Sequence, residues 1–490
     1  MPKQSWHALD RDELIRLRDR KLRKQIRFQL YAYSPFYRHL LDELGLQSGG
    51  FEGIDDLKKL PLIDRTVLAR DPEAFVLAPS RALLQRWGST QQLVEAVMAM
   101  ILRGEDSYDR GLQYEYRPVH VLESSGTTGE PLPIRLTRRD LAVLAVHGSR
   151  MFEVAGLEES DVLLNLMEPI SAGGFWAIWA GAVGRGLQHL APGILEPENS
   201  AALALKMRAT ALAARAEDAL AVFEAAGEGR ALPELKTILL APEQVGGALR
   251  RRLAERAGPD VRIISSYGFA EGRAVLVECA EGAGRADGGY HSAGDVDLIE
   301  TVSLSSGAPV ANGETGEIVF TGLDHRGTAL ARYRPGDVAI GGLKGGPCPY
   351  CGRNTDRVIG PIRRTTSLLS IQPAGADAVA VDLEGFSAAL AHPQLASWRV
   401  EVVKTEGDPR GPDEVYVMFR PARGRDPGEL AVELDRALRT EVGIAATQFV
   451  LGETFEEGVA DLRPVPAGPV RPEGEGGTVR LWRSPPGRPA

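Results

Sequence analysis

Between residues 235 and 264 the chain alternates strand, helix and strand, and no other feature restricts the fold as much. Residues 235–240 form a short apolar run ending in Ile238-Leu239-Leu240. Pro242 follows, and proline suits the first turn of a helix, where its missing N–H costs nothing. A helix is therefore expected to about Arg256, and 261–264 (Val-Arg-Ile-Ile) is a second strand. Parallel strands joined through a helix belong to an α/β sheet with helices packed on its faces. Ligands bind at the carboxyl ends of such strands. The segments just after residues 240 and 264 are thus the first places to look for a site.

The rest of the chain extends this pattern. Residues 11–47 read as helical through Leu14, Leu17, Leu22, Ile26 and Phe28, with a break at Ser34-Pro35. Thr137-Arg138-Arg139-Asp140 has the form of a capping box opening a helix to about Val154. Residues 161–166 suit a buried strand, and the Ala-rich stretch 200–215 suits a helix. From about 290 to 360 short strands and turns take over. A third regime follows, with strands near 397–403, 414–420 and 447–451 and a helix near 427–441. The Pro-, Gly- and Arg-rich tail from Pro464 is expected to be mobile.

Composition sets limits. A chain of 490 residues exceeds what one hydrophobic core serves, so at least two domains are expected. A net charge of −9 argues against sequence-independent binding to nucleic acid or to an anionic membrane surface. No apolar run approaches the ~18–20 residues that span a bilayer. The first residues lack an apolar signal core. Cys279, Cys348 and Cys351 are too few for a disulfide framework and suit a reducing compartment, so a cytoplasmic location is expected.

The chemistry begins at Glu123-Ser124-Ser125-Gly126-Thr127-Thr128-Gly129-Glu130-Pro131, after a short apolar stretch. Its glycines allow close backbone approach, and its hydroxyls and N–H groups can surround phosphate oxygens. A plain exposed turn would have a similar composition, and the lysine of a P-loop is absent. The segment closely resembles the phosphate loop of the adenylate-forming superfamily, and three further segments resemble that family in the correct order. Tyr267-Gly268-Phe269-Ala270-Glu271 resembles the segment whose aromatic lies near adenine and whose Glu binds Mg²⁺. Gly313-Glu314-Thr315-Gly316-Glu317-Ile318 is similar to the turn before the nucleotide-binding strand. Arg332-Tyr333-Arg334-Pro335-Gly336-Asp337 is similar to the segment whose Asp holds the ribose hydroxyls. Ser34-Pro35-Phe36-Tyr37-Arg38, Leu57-Lys58-Lys59-Leu60-Pro61-Leu62 and Cys348-Pro349-Tyr350-Cys351-Gly352-Arg353 resemble the phenylacetate-CoA ligase-like branch.

The resemblance implies an ATP- and Mg²⁺-dependent activation of a carboxylic acid as acyl-AMP. The acyl group then passes to CoA or to another nucleophile such as an amine. It implies catalytic roles for Thr128 and Glu271, and nucleotide contacts from Ser124, Ser125, Gly126, Thr127, Thr128, Gly129, Ala241, Glu243, Tyr267, Gly268 and Asp337. Gly173-Gly174-Phe175-Trp176 and Trp179-Ala180-Gly181 correspond to the helix lining the acyl pocket. Phe175, Trp176 and Gly268 are the expected substrate contacts, and bulky rings beside glycines suit an aryl acid. Each of these residues could equally serve core packing. His120, just before the loop, could assist the acyl group or be structural.

Cys348-x-x-Cys351 has the spacing that turns two thiolates onto one ion, and also that of a redox pair. Cys279 and His291 would complete a Cys₃His set of the closed, structural zinc type. Some members of the resembled branch carry zinc on a similar set.

The C-terminal part departs from the family. Pro361 stands where a hinge Arg is expected, and Arg363 where a hinge acid is expected. Gly477 stands at the place of the lysine that bridges acyl carboxylate and α-phosphate, and no lysine occurs after Lys404. Three readings remain open: another cation, such as Arg471, Arg480 or Arg483, replaces it; the acyl-AMP goes to an acceptor other than CoA that needs no lid swing; or the chain is a catalytically degenerate nucleotide- or acyl-binding relative. The expected architecture is α/β: a large multi-subdomain AMP-binding domain over 1–361 and a small α+β lid over 362–490. Pairing as a homodimer is left open.

Overall fold

The computed structural model describes residues 6–7, 9–46, 50–103, 106–124, 131–170, 173–193, 195–227, 232–241, 247–371, 379–382, 386, 389–390, 392, 394–404, 413–439, 448–451, 463–464 and 477–483. The chain divides into two compact units, Met1–Ile362 and Arg363–Ala490.

The first unit is organised around a nine-stranded sheet. Its order is Leu343–Lys344, Arg357–Val358, Tyr290–His291, Ala274–Glu278, Arg262–Phe269, Thr237–Leu240, Ala211–Ala214, Val162–Asn165, Gln188–Leu190. From Arg262–Phe269 to Gln188–Leu190 the strands run parallel, as the strand–helix–strand alternation requires. On the other side they run antiparallel. Both faces of the parallel half are covered, which explains its continuous apolar runs. Leu164, Leu212 and Leu240 pack with Leu220, Phe223 and Leu253. Their strand neighbours Leu163, Ala213 and Leu239 point the other way, toward Met151, Phe152 and Ile178.

That two-sided burial overturns the expected helix over 200–215. The helix is Pro197–Met207, and Arg208, at φ 54°, ends it. Ala211–Ala214 is instead a strand with all four residues buried. Alanine favours helix in isolation. Here pairing on both edges and packing on both faces override that preference.

Arg138–Val154 forms with the capping box read from the sequence: Thr137 accepts from the Asp140 N–H, and the Asp140 carboxylate accepts from the Thr137 N–H. It packs on Gly173–Arg185 so closely that a Cβ on Gly148 would lie 2.5 Å from Gly181 Cα. Gly181 therefore serves helix packing. Trp179 is 43% exposed, its ring centroid 6.1 Å from that of Trp176 on the same helix face.

A second sheet in this unit centres on Gly316–Gly322. It pairs antiparallel with Asp297–Val302, with Asp337–Ala339 and with Tyr333–Arg334. Ile63–Asp64 joins parallel to Tyr333–Arg334. Near the end of the unit, the Ile340 N–H donates to Pro361 O at 2.9 Å and the Gly341 N–H to Ile359 O at 3.1 Å. The backbone around Pro361 is thus tied to this unit.

The second unit contains Leu395–Lys404, Glu414–Pro421, Pro427–Ala437 and Gln448–Leu451, close to the expected elements. Its core is built from Trp398, Val400, Val402, Val415, Val417, Phe419, Leu430 and Leu434. The expected mobile tail is corrected in part. Gly477–Arg483 is a strand running parallel to Leu395–Lys404, with Glu401 opposite Arg480 and Lys404 opposite Arg483. Arg463–Pro464 pairs with it in turn. Val479 and Leu481 alternate with Thr478 and Arg480, a period-two pattern that the surrounding Pro and Gly conceal. Arg471 lies outside the described residues. Among the described residues, no helix is long and apolar enough to cross a membrane.

Candidate functional site

The strand Arg262–Phe269 changes partners along its length, and the site forms where it does so. Up to Ser265 it pairs parallel with Thr237–Leu240. From Ser266 it pairs antiparallel with Ala274–Glu278. The hairpin between these two strands carries Glu271 at its turn. Sequence dictates the tightness of this hairpin. A Cβ on Gly268 would lie 2.7 Å from Ala274 O, and one on Gly272 would lie 2.3 Å from the Phe269 ring. Arg273 closes the turn at φ 54°. Its buried guanidinium donates to Thr328 O at 2.6 Å, contacts Asp140 at 3.3 Å and contacts the His325 ring.

Three further segments converge on this turn. The Tyr267 hydroxyl donates to Asp337 Oδ2 at 2.8 Å. The Tyr333 hydroxyl donates to Glu271 Oε1 at 3.0 Å. Arg65 Nη1 lies 3.4 Å from the same Glu271 oxygen and also donates to Ser124 Oγ. Tyr267, Glu271 and Asp337 are all buried. Ser124 ends the strand His120–Ser124 and is the last described residue before the Gly/Ser/Thr loop. Ser125, Gly126, Thr127, Thr128 and Gly129 lie outside the described residues, as does Glu243. Ala241, buried at the end of Thr237–Leu240, is held by its N–H donating to Ala214 O at 3.1 Å.

The start of helix Gly173–Arg185 packs beside the strand His120–Ser124 and the Glu271 turn. Gly173 brings its backbone against Leu122 and Ala270, where a Cβ would meet Leu122 Cδ1 at 3.6 Å and Ala270 Cα at 3.7 Å. The Trp176 ring meets His120 edge-on at 4.7 Å, and its N–H donates to Ile170 O at 2.9 Å. Phe175 is buried beside Trp176, with ring centroids 5.2 Å apart. His120 Nε2 is buried with no hydrogen-bond partner, and burial lowers the His120 pKa, so the ring is neutral.

Elsewhere in the same unit, Cys279, His291, Cys348 and Cys351 offer ligand atoms that all lie within 4.8 Å of one another. Cys279 Sγ is 4.0 Å from Cys348 Sγ, and Cys351 Sγ is 3.7 Å from His291 Nε2. A tetrahedron with ~2.3 Å metal–sulfur and ~2.0–2.1 Å metal–nitrogen bonds has edges of about 3.5–3.8 Å, so the four donors fit one zinc ion. His291 Nδ1 is 2.9 Å from Thr355 Oγ1, which fixes the ring with Nε2 facing the thiols. Gly282 is required there, because a Cβ would lie 2.9 Å from Cys279 Sγ. The Cys351 thiol is drawn down to about 2 and the Cys279 thiol pushed up, both chiefly through the hydrogen bond between them.

Residues 117–325 match the AMP-binding enzyme family. The chain is similar to a phenylacetate-coenzyme A ligase of Thermus thermophilus, with 27% identity over 446 residues, covering 89% of this chain and 85% of that protein. It is also similar to a phenylacetate-coenzyme A ligase of Escherichia coli, with 23% identity over 340 residues and 67% of each covered. A 2-hydroxyisobutyryl-CoA ligase solved in an open conformation with 2-HIB-AMP and CoA superposes with a TM-score of 0.67 at 17% identity, covering 92% of this chain and 90% of that one. Residues 117–325 are an AMP-binding enzyme domain, and the chain is an adenylate-forming ligase similar over most of its length to phenylacetate-CoA ligases. The same 2-hydroxyisobutyryl-CoA ligase in its postadenylation state with 2-HIB-AMP gives a TM-score of 0.61 at 17% identity, covering 94% and 91%. At these identities the structural likeness is one of fold.

Two contributors to this ligase's site escape sequence reasoning. Arg65 begins the helix Arg65–Arg70, capped by Asp64, whose carboxylate accepts from the Val67 N–H at 3.0 Å. Only the parallel pairing of Ile63–Asp64 with Tyr333–Arg334 brings Arg65 to Glu271, and that pairing joins segments remote in sequence. Tyr333 stands inside a recognised segment, but its partner Glu271 is 62 residues away. The one available signal is the Leu60-Pro61-Leu62-Ile63-Asp64-Arg65 stretch, where a strand-like dipeptide is followed at once by a cap and a cation.

Proposed function

We propose that this enzyme activates a carboxylic acid, of aryl type, with MgATP and transfers the acyl group to CoA. The observation that carries the reading is the convergence of Tyr267 with Asp337, and of Tyr333 and Arg65 with Glu271, beside the strand that leads into the phosphate loop. Asp337 accepts the ribose hydroxyls, as a buried carboxylate suits two donors. Tyr267 and Gly268 are assigned to the base, as are Ala241 and Glu243. Ser124, Ser125, Gly126, Thr127, Thr128 and Gly129 are assigned to the triphosphate, and Thr128 is assigned a catalytic role. Glu271 is the single protein carboxylate for Mg²⁺, a usual donor set when phosphates complete the shell. When bound, the ion screens phosphate charge during attack by the acid. The acid's carboxylate oxygen bonds to the α-phosphorus, and the bond to the β-phosphate bridging oxygen breaks to release pyrophosphate.

The aryl preference is supported by the Trp176–His120 edge contact beside Gly173 and Gly174, with Phe175 behind. A neutral His120 with an unpartnered Nε2 offers one polar contact beside these rings. CoA as acceptor is supported by the activities that the similar enzymes carry in their names. The nucleotide chemistry is assigned to residues 1–361, and 362–490 are assigned the role of the lid. Cys279, His291, Cys348 and Cys351 hold a structural zinc ion; a closed shell of four protein ligands leaves no open position for substrate. With all three cysteines so used, a reducing, cytoplasmic setting suits the chain.

The test is pyrophosphate release across a panel of aryl and alkyl acids, with thioester formation followed when CoA is added. Aryl acids are expected to lead the panel. Pyrophosphate release with no acid in it would refute the activity. Release without thioester would refute CoA as acceptor.

A further inference from the structure

The C-terminal unit has Gly477 at the position expected to carry the adenylation lysine and no lysine after Lys404. A lysine at that end of the chain is thus not available to meet the charged phosphates. The geometry points to Arg65, and we propose that its guanidinium is a catalytic residue of the adenylation step, binding the phosphates that depart as pyrophosphate. The proposal rests on the nucleotide reading above and deepens it.

Four observations carry it. Arg65 Nη1 bonds both the Ser124 hydroxyl, at the last described residue before the phosphate loop, and Glu271, the carboxylate assigned to the magnesium ion. It thus stands between the two groups that flank the triphosphate. The ribose end lies at Asp337, marked by the Tyr267 contact, whereas Arg65 stands at the phosphate-loop end. Its side chain is 27% exposed, so the guanidinium is reachable from the site while Glu271, at 9%, is not open to bulk water. Finally, Arg65 is anchored by parts of its own unit: Asp64 caps its helix, and Ile63–Asp64 is paired into the sheet beside Tyr333.

The chemistry follows directly. As the acid's oxygen attacks the α-phosphorus, negative charge grows on the leaving pyrophosphate. A planar guanidinium matches two phosphate oxygens at once. In the absence of nucleotide, Glu271 and Ser124 occupy the same donors. When MgATP enters, Glu271 turns to the metal and Arg65 to the phosphates, so neither charge is left buried without a partner. An arginine whose sole task was to neutralise Glu271 would matter equally to every nucleotide. One that grips the leaving phosphates would matter to ATP and hardly to AMP.

The experiment compares ATP and AMP affinity by calorimetry in wild type, Arg65→Ala and Arg65→Lys, with pyrophosphate release and thermal melts on the same preparations. Arg65→Ala is expected to bind ATP at least tenfold more weakly, to bind AMP within twofold of wild type, and to release pyrophosphate on the order of 10²–10³ more slowly, as for loss of one oxyanion donor. Arg65→Lys is expected to recover part of both losses and to melt with wild type. Thioester formation from supplied acyl-adenylate and CoA is expected to survive in Arg65→Ala. Equal losses for ATP and AMP would reduce Arg65 to a structural partner of Glu271 and overturn the proposal. So would an unchanged Arg65→Ala alongside loss of pyrophosphate release in an Arg471, Arg480 or Arg483 variant. A wild type that binds neither nucleotide would instead overturn the nucleotide site itself.

Discussion

Replacing Asp337 with alanine tests the nucleotide site most directly. In the structure, Asp337 is buried on the strand Asp337–Ala339, and Oδ2 already accepts the Tyr267 hydroxyl at 2.8 Å. The carboxylate's remaining lone pairs are those assigned to the two ribose hydroxyls. Hydrogen bonds to a charged acceptor are worth about 1.5–3 kcal/mol each. Two such bonds are not additive, so the expected loss for Asp337→Ala is about 2–4 kcal/mol, or roughly 30- to 1,000-fold in AMP affinity. The substitution also strands the Tyr267 hydroxyl, which costs about 1–3 kcal/mol of fold stability if it stays dry. Tyr267→Phe separates the two effects. It removes the same tyrosine–aspartate bond but keeps the ring and the carboxylate. AMP calorimetry on both variants, with melts alongside, is expected to show a large affinity loss for Asp337→Ala and a loss of under tenfold for Tyr267→Phe. Equal losses in the two variants would mean that affinity follows the integrity of the Tyr267–Asp337 pair, and the ribose assignment would be wrong.

Metal analysis of purified protein is expected to give one zinc per chain, and Cys348→Ser or prolonged chelation should lower the melting temperature markedly; protein that is zinc-free at full stability would count against the site. Gly268→Ala drives a methyl to 2.7 Å from Ala274 O and should destabilise the hairpin while weakening nucleotide binding, whereas unchanged melting and binding would show that the turn is looser than described. Burial, and next the charge of Arg273, hold the His325 pKa well below the ordinary 6.5. The unfolded chain takes up that proton below pH ~6.5 while the folded chain does not, so stability present at neutral pH is lost as pH falls through that range. Melts at pH 7.5 and 5.5 should show this fall, and His325→Asn should flatten it; an identical slope in the variant would assign the effect to other groups.

The parts of this ligase legible in sequence are those whose chemistry needs a fixed local string. The Tyr267–Glu271 segment, Asp337 and the Cys348-x-x-Cys351 knuckle each carry a composition that packing alone does not call for. The metal set could be assembled from sequence because it uses every cysteine in the chain, which left few alternatives. The capping box at Thr137 was legible for the same local reason: its donors and acceptors are three residues apart. Ala211–Ala214 failed because alanine's helix preference is local, while the sheet position that overrides it depends on strands at 162–165 and 237–240. The packing role of Gly181 was hidden for the same reason: it depends on the close approach of Gly148 in another helix.

Arg65 is the case in which both limits meet. It shares a short helix with Arg70, and the only local difference is the strand-like Ile63 and the cap Asp64 that precede it. What separates them is a two-residue parallel pairing, Ile63 with Tyr333 and Asp64 with Arg334, between segments almost the length of the unit apart. That pairing sets the direction in which the helix starts, and Asp64, by capping it, fixes where the first turn begins. The first residue of the helix then falls beside Ser124 and Glu271, and the last does not. A charged side chain acquires its function here from sheet register. The departures at Pro361, Arg363 and Gly477 are all in or beside the C-terminal unit, whereas the cation proposed to answer them is held by the N-terminal one. A search for the replacement confined to the neighbourhood of the lost lysine would therefore stop at Arg471, Arg480 and Arg483 and never reach it.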